Sequence, residues 1–207
     1  NYFAVSGYPK GISGKAADIN FKQLLWEITK ILHQNSIFGG VMNTPDYTVY
    51  NANGSINEVL SHDSIEQQFF NAVPNHDIIF LSGHGSSGGW DEIQGGDVLT
   101  STNPFGSVNP VVYAASCNTG GYHYGLSFAE TMLMKGAGAY YGATRWALRS
   151  HNGIHMKFFQ EWNKNSCIGD VARDIKQKIA YKEIADYIYP YEKGRYYSSI
   201  FQLYGDP

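Results

Sequence analysis

The 207-residue chain is 43% hydrophobic and only 16% charged, with a formal net charge of −3. That balance supplies a sizeable core for one domain and argues against a nucleic-acid binder, which would carry a basic stripe or patch. No apolar run approaches the roughly 18 residues of a membrane span, no charged segment leads into an apolar one as in a signal peptide, and Cys117 and Cys167 are too few for a disulfide scaffold.

Tyr2-Phe3-Ala4-Val5 reads as a first strand, followed by a Gly/Pro/Ser loop to Gly14. A helix is expected from Asp18 or Asn20, with Phe21, Leu24, Leu25, Ile28, Ile31 and Leu32 forming an i, i+3, i+4, i+7 stripe. Phe38-Gly39-Gly40 ends that unit, and Tyr47–Tyr50 reads as a second strand. A helix is expected over Ser55–Ala72, broken by Pro74-Asn75. Ile78-Ile79-Phe80-Leu81 is a buried strand, and 85–110 a long Gly/Ser/Asn-rich connection of the kind that is often functional. The strand Val111–Ala115 precedes a helix over Ser127–Lys135, and Ala137–Gly142 forms another strand. Helices over 153–164 and 167–187 and a last strand, Ile200–Tyr204, complete the series. The apolar runs are continuous rather than alternating, as when both faces of a sheet are covered. The expected fold is an open, mostly parallel α/β sheet of about six strands with helices on both faces.

Ligands in such sheets bind beyond the carboxyl ends of the strands, and two of these ends carry reactive side chains. One strand runs into Ser82-Gly83-His84-Gly85, the other into Ser116-Cys117-Asn118. Residues 83–88 also fit G-x-G-x-x-G, but a dinucleotide fingerprint needs a following helix, and Gly89–Gly96 is a poor one. Gly85-Ser86-Ser87-Gly88-Gly89 fits G-x-S-x-G, yet Ser87 lies well past the strand end with no helix after it. A C-x5-R phosphatase loop fails because His123 stands where Arg is required. The remaining reading pairs His84 with Cys117 across strands about 4.8 Å apart, as base and thiolate nucleophile. The N–H groups of Gly85 and Cys117 are then candidates for an oxyanion hole. Taken singly, His84 reads as a hydrogen-bonding loop residue and Cys117 as a small core residue.

At these residues the chain resembles the caspase-like superfamily of cysteine peptidases, in which an apolar strand precedes His-Gly and a second precedes Ala/Ser-Cys. The closer likeness is to the gingipain family. It rests on Gly83-His84-Gly85-Ser86 with Trp90, Phe128-Ala129-Glu130, Ala139–Thr144 with Trp146, and Phe201–Pro207, and so covers about residues 78–207. The resemblance implies a three-layer caspase-like fold and a cysteine endopeptidase working through an acyl-enzyme. Cys117 is then the nucleophile and His84 the proton donor or base. It implies Asp18 as orienter of the histidine, although Asp18 reads equally as a helix N-cap, and it makes Trp146 a wall of the substrate pocket, with Ser116 and His123 alongside. It further implies a bacterial-type exported or cell-surface protein, a protein or peptide substrate, and flanking domains of the same precursor. The chain, starting at Asn1 and ending at Gly205-Asp206-Pro207, is accordingly expected to be one domain over 1–207 excised from a longer protein.

No cofactor is required by this chemistry. Asp91, Glu92 and Asp97 could hold a structural calcium ion, although they form no EF-hand and a solvated loop is the plainer reading. His151 and His155 have zinc-pair spacing, but Asn152 replaces the glutamate of H-E-x-x-H, which favours a surface or capping role. Arg145 and Arg149 flank Trp146 and raise an acidic substrate residue against the ordinary solvated arginine. The tyrosine-rich tail, Tyr187–Tyr197, is either a docking face or packing. The competing reading from another class is a catalytically inert caspase-like module that binds a peptide or partner, with a serine hydrolase third.

Overall fold

The computed structural model describes residues 1–6, 14–37, 39–43, 48–50, 56–59, 65–91, 93–122, 125–147, 151–162, 166–181 and 191–205. Its centre is the strand β1 (Tyr2–Ser6), which pairs in parallel with β2 (Gly39–Asn43) on one side and β5 (Ile78–Ser82) on the other. Beyond β5 lie β9 (Val111–Ala115) and β10 (Ala139–Ala143), both parallel, and then β11 (Phe201–Gly205), antiparallel at the edge. On the far side β3 (Thr48–Tyr50) and β4 (Ile56–Val59) complete an eight-stranded sheet in the order β11-β10-β9-β5-β1-β2-β3-β4. Five adjacent parallel strands thus carry antiparallel strands at both edges. The expectation of about six mostly parallel strands holds for the architecture, and the two additional strands are β2 and β4.

The continuous apolar runs follow from the pleat, which sends alternate side chains to opposite faces. Tyr2, Ala4, Ile78, Phe80, Tyr113 and Tyr141 enter one core with α1 (Gly14–Gln34), α5 (Asn152–Glu161), α6 (Ile168–Ala180) and α7 (Tyr191–Ile200). Phe3, Val5, Ile79, Leu81, Val112, Ala114 and Tyr140 enter the other, with α2 (Ile65–Ala72) and α4 (Phe128–Met134). A sheet covered on both faces is the arrangement that the continuous runs predict.

Several local expectations are corrected. The first helix begins at Gly14, so Asp18 lies inside it and is not its N-cap. The segment expected to be one helix over 55–72 is β4 followed by the short α2; Ile56 and Val59 bring β-branching that suits the hairpin with β3, and pairing at the sheet edge overrides a helical stripe. Gly39-Gly40 open β2 rather than ending a unit, because a β-carbon at Gly39 would run into the Tyr2 backbone of the neighbouring strand. The long connection after β5 is largely regular. It forms a three-stranded antiparallel sheet of β6 (Gly85–Ser86), β7 (Gly89–Trp90) and β8 (Ile93–Gln94), then α3 (Gly95–Thr100). Trp90, Ile93, Val98 and Phe105 from this stretch pack into the α2/α4 core.

His151 and His155 are not at the surface. Both are buried, and they stand on α5 and its N-cap inside a polar aromatic network. The Tyr113 hydroxyl lies 2.8 Å from His155 Nδ1 and 3.2 Å from the Tyr197 hydroxyl, which lies 3.2 Å from that of Tyr141. Tyr197, from the tyrosine-rich tail, is thus core packing on α7. Burial, with a smaller contribution from His151, holds the pKa of His155 well below its ordinary value of 6.5. The unfolded chain takes up this proton near 6.5 and the folded chain does not. The stabilisation is therefore complete above that pH and is lost as pH falls below it. Urea midpoints compared between about pH 7.5 and about pH 5 are expected to drop for the wild type and to drop less for His155→Gln.

Candidate active site

The parallel ladder brings the two reactive loops together. Ser82 at the end of β5 pairs with Ala115 at the end of β9, so His84 and Cys117 each stand two residues beyond matched positions. Adjacent strands are about 4.8 Å apart, and the loops leave the same end of the sheet side by side. The contact between them is at Gly85. A β-carbon there would fall 2.5 Å from the Cys117 carbonyl oxygen, 2.6 Å from Thr119 Cγ2 and 3.1 Å from Ser116 Cβ. Glycine is the residue that lets the backbone following His84 lie on the Cys117 loop.

On its other side His84 meets α1. Its half-buried ring packs edge-on against Phe21, with ring centroids 5.1 Å apart and planes at 88°. The Ser82 hydroxyl donates to the Phe21 carbonyl at 3.3 Å and fixes the helix against the end of β5. Asp18 is one helical turn before Phe21 on α1, and its side chain lies outside the described residues. The His84 carbonyl accepts the Asp91 N–H at 3.1 Å, which closes the hairpin of β6 and β7. Asp91 is buried, in a left-handed turn with φ +48°.

The Cys117 loop is held by the strand beside it. Asn118 turns the chain at φ +55°, a conformation that Asn tolerates. The N–H of Asn118 donates to the Arg145 carbonyl at 2.9 Å, and that of Gly120 to the Ala143 carbonyl at 2.9 Å. The Tyr204 hydroxyl of β11 donates to the Gly120 carbonyl at 2.8 Å. Ser116, expected beside the substrate, is buried, with its hydroxyl 3.3 Å from that of Thr119. Trp146, expected as a wall of the substrate pocket, is 74% exposed on the segment that grips the loop. His123 and Arg149 lie outside the described residues. The Arg145 side chain is exposed.

The Cys117 sulfur is partly buried and touches Ala147 twice. The Ala147 N–H donates to it at 3.3 Å, and the Ala147 carbonyl stands 3.6 Å away as an acceptor for the thiol. Burial pushes the thiol pKa up, and the hydrogen bond with the Ala147 backbone pulls it back. Sequence reasoning missed Ala147, because a main-chain group leaves no mark in residue type. The formal serine-hydrolase and dinucleotide motifs are dismissed by the hairpin. Ser87 is in its turn, and β7, not a helix, follows Gly88. Of the loop acids weighed for calcium, Asp97 caps α3 by accepting the Gln94 N–H at 2.8 Å, and Glu92 lies outside the described residues. Among the described residues no three His, Cys, Asp or Glu side chains are grouped to hold a metal.

Gly85→Ala is expected to force the two loops apart, at about 1–3 kcal/mol in stability. Urea melts read that cost, and the rate of Cys117 alkylation reads the displacement of its loop.

The model of peptidase family C25 matches residues 9–207. No curated protein matches the chain. Among solved structures, the Arg-specific cysteine proteinase gingipain R (RgpB) superposes with a TM-score of 0.60 at 18% identity, covering 100% of this chain and 46% of that one. The complex of Porphyromonas gingivalis RgpB pro- and mature domains gives 0.62 at 15%, covering 100% and 47%. A secreted C11 cysteine protease from Bacteroides thetaiotaomicron, solved with an irreversible peptide inhibitor, gives 0.57 at 9%, covering 87% and 59%. The chain thus spans less than half the length of the gingipain structures it matches. With the family model covering nearly all of its length, and with the three-layer fold shared by these proteases, the chain belongs to peptidase family C25.

Proposed function

We propose that this chain is a cysteine endopeptidase domain in which Cys117 is the nucleophile and His84 its proton-transfer partner. The observation that carries the reading is the seating of Gly85, next to His84, on the backbone of Cys117 at the carboxyl end of the parallel sheet. Membership of family C25 makes peptide hydrolysis the expected chemistry.

In the mechanism, the thiolate attacks the scissile carbonyl carbon, and the carbonyl π electrons move to oxygen. The oxyanion is held by the N–H groups of Gly85 and Cys117. Collapse of the tetrahedral adduct breaks the C–N bond, and His84 gives its proton to the departing amine. A water molecule, deprotonated by His84, then attacks the thioester and releases the acid product and the free thiol. Asp18 serves as orienter of His84, a role supported by its place one turn before the residue on which the histidine ring packs. Trp146 and His123 belong to the substrate side, and the exposed indole is the part free to cover a bound peptide, whereas Ser116, buried beside Thr119, meets the substrate only through its main chain.

The substrate is then a protein or peptide. Among the described residues no helix is long and apolar enough to cross a membrane. We infer an exported or cell-surface enzyme, in keeping with the description of the C11 neighbour as secreted. Further domains of the same precursor would flank the chain.

Labelling with a peptidyl acyloxymethyl ketone, together with cleavage of a mixed peptide pool, tests the reading. Cys117→Ala is expected to abolish both, and His84→Ala to lower cleavage by about a thousandfold or more. Ser87→Ala is expected to leave both unchanged. A wild type that is neither labelled nor active would instead favour an inert peptide-binding module.

A further inference from the structure

A cysteine that is to act as a nucleophile must be held as a thiolate, and its partly buried position works against the charge. A common remedy is the N-terminus of a following helix. Here α4 follows the Cys117 loop, but its first N–H groups are all taken. Phe128 N–H donates to the Ser87 carbonyl at 2.6 Å and Ala129 N–H to the Thr119 carbonyl at 3.0 Å. Glu130 N–H donates to Ser127 Oγ at 3.2 Å, and Thr131 N–H to the Ser127 carbonyl at 2.9 Å. This helix end braces the two reactive loops and has no donor left to give to the sulfur.

We propose that the main-chain N–H of Ala147 is the thiolate donor of this site, and that the carbonyl of the same residue receives the S–H when Cys117 is neutral. The inference rests on reading Cys117 as the nucleophile. Both groups are already in place, at 3.3 Å and 3.6 Å from the sulfur. The segment that carries them is anchored on two sides. Toward the loop, the Arg145 and Ala143 carbonyls accept from Asn118 and Gly120. Away from it, the N–H and hydroxyl of Thr144 donate to the Ile200 carbonyl at 2.8 Å and 3.1 Å. A donor fixed in this way costs little reorganisation when the thiol loses its proton to His84. It also joins the nucleophile to Trp146, one residue away, so that a peptide pressing on the indole would bear directly on the sulfur's hydrogen bond.

Among the described residues, other titratable or charged groups stand on the elements packed around Cys117. His84 and Asp91 lie on the loop and hairpin after β5, Tyr122 on the Cys117 loop, Glu130 on α4, Arg145 on the anchoring segment, Tyr140 and Tyr141 on β10 and Tyr204 on β11. The Ala147 N–H stands apart from these in being a main-chain donor in hydrogen-bond contact with the sulfur, one that carries no titration of its own.

The whole chain, labelled with 15N, provides the test. The Ala147 amide proton is followed against pH beside the iodoacetamide alkylation rate of Cys117, with the exposed Cys167 as reference thiol in the same molecule. The amide is expected to titrate with the midpoint of Cys117 alkylation, and to stop doing so in Cys117→Ala. Ala147→Pro removes the donor and should raise that midpoint by about one pH unit, about tenfold in rate at neutral pH. Ala147→Gly keeps the N–H and should hold the midpoint. An Ala147 amide that does not move with Cys117, or an unshifted midpoint in a folded Ala147→Pro protein, overturns the inference. If the proline variant does not fold, the wild-type amide titration decides alone. The peptidase reading fails separately, through absence of peptide cleavage and of any effect of His84→Ala, and the Ala147 titration can survive that failure.

Discussion

Everything at this site depends on the parallel pairing of β5 with β9. The ladder runs without a break from Ile78↔Val111 to Ser82↔Ala115, so two chains that are distant in sequence end at the same level. A slip of one residue would turn every side chain of one strand to the opposite face. It would cost both cores and separate the two loops. The register is fixed by that penalty. Phe80 and Tyr113 must reach one core, and Leu81 and Ala114 the other. The chemistry at the top of the sheet is therefore secured by apolar packing far below it.

The second constraint is steric. The loops after β5 and β9 touch where Gly85 has no side chain, with the Cys117 carbonyl and the Thr119 methyl in the space that a β-carbon would fill. The hairpin beyond Gly85 then turns back, and the Ser87 carbonyl caps α4, whose next N–H is capped by Thr119. One short helix end therefore ties the histidine loop to the cysteine loop. Its first N–H groups, which elsewhere could hold an anion, are here taken up in bracing.

The face opposite α4 carries a different burden. Tyr113, Tyr141, Tyr197, His151 and His155 are all buried; the core accepts the polar atoms of the three tyrosines and His155 through a chain of hydroxyl–hydroxyl and hydroxyl–imidazole contacts, and the His151 ring packs edge-on against Tyr197. Such a network fixes how α5 and α7 sit on the sheet, since each polar atom costs free energy if it loses its partner. Tyr113 belongs to the strand that delivers Cys117. Protonating His155 would therefore disturb the support of the strand that leads to Cys117, not a remote surface.

The strands β1, β5, β9 and β10 were legible in the residues, because a strand buried on both faces must be apolar throughout. The placement of His84 and Cys117 beyond the carboxyl ends of β5 and β9 was legible because both follow directly on such apolar runs. β4 was not, because Ile56–Val59 is short and its pairing with β3 decides between two periodicities that the residues alone allow. The residues also suggested a start of α1 at Asp18 or Asn20 and left Asp18 open between N-cap and orienter of the histidine; the structure starts the helix at Gly14 and puts Asp18 in its interior, one turn from Phe21. Residue types by themselves determined a covered parallel sheet, a histidine and a cysteine beyond the carboxyl ends of two of its strands, and a glycine directly after the histidine. Only the tertiary structure decided what the glycine touches, where the α4 donors go, and that an alanine backbone faces the sulfur. Main-chain donors are the same at every position except proline, so their use is set by which segments pack together and not by the identity of the residue that carries them.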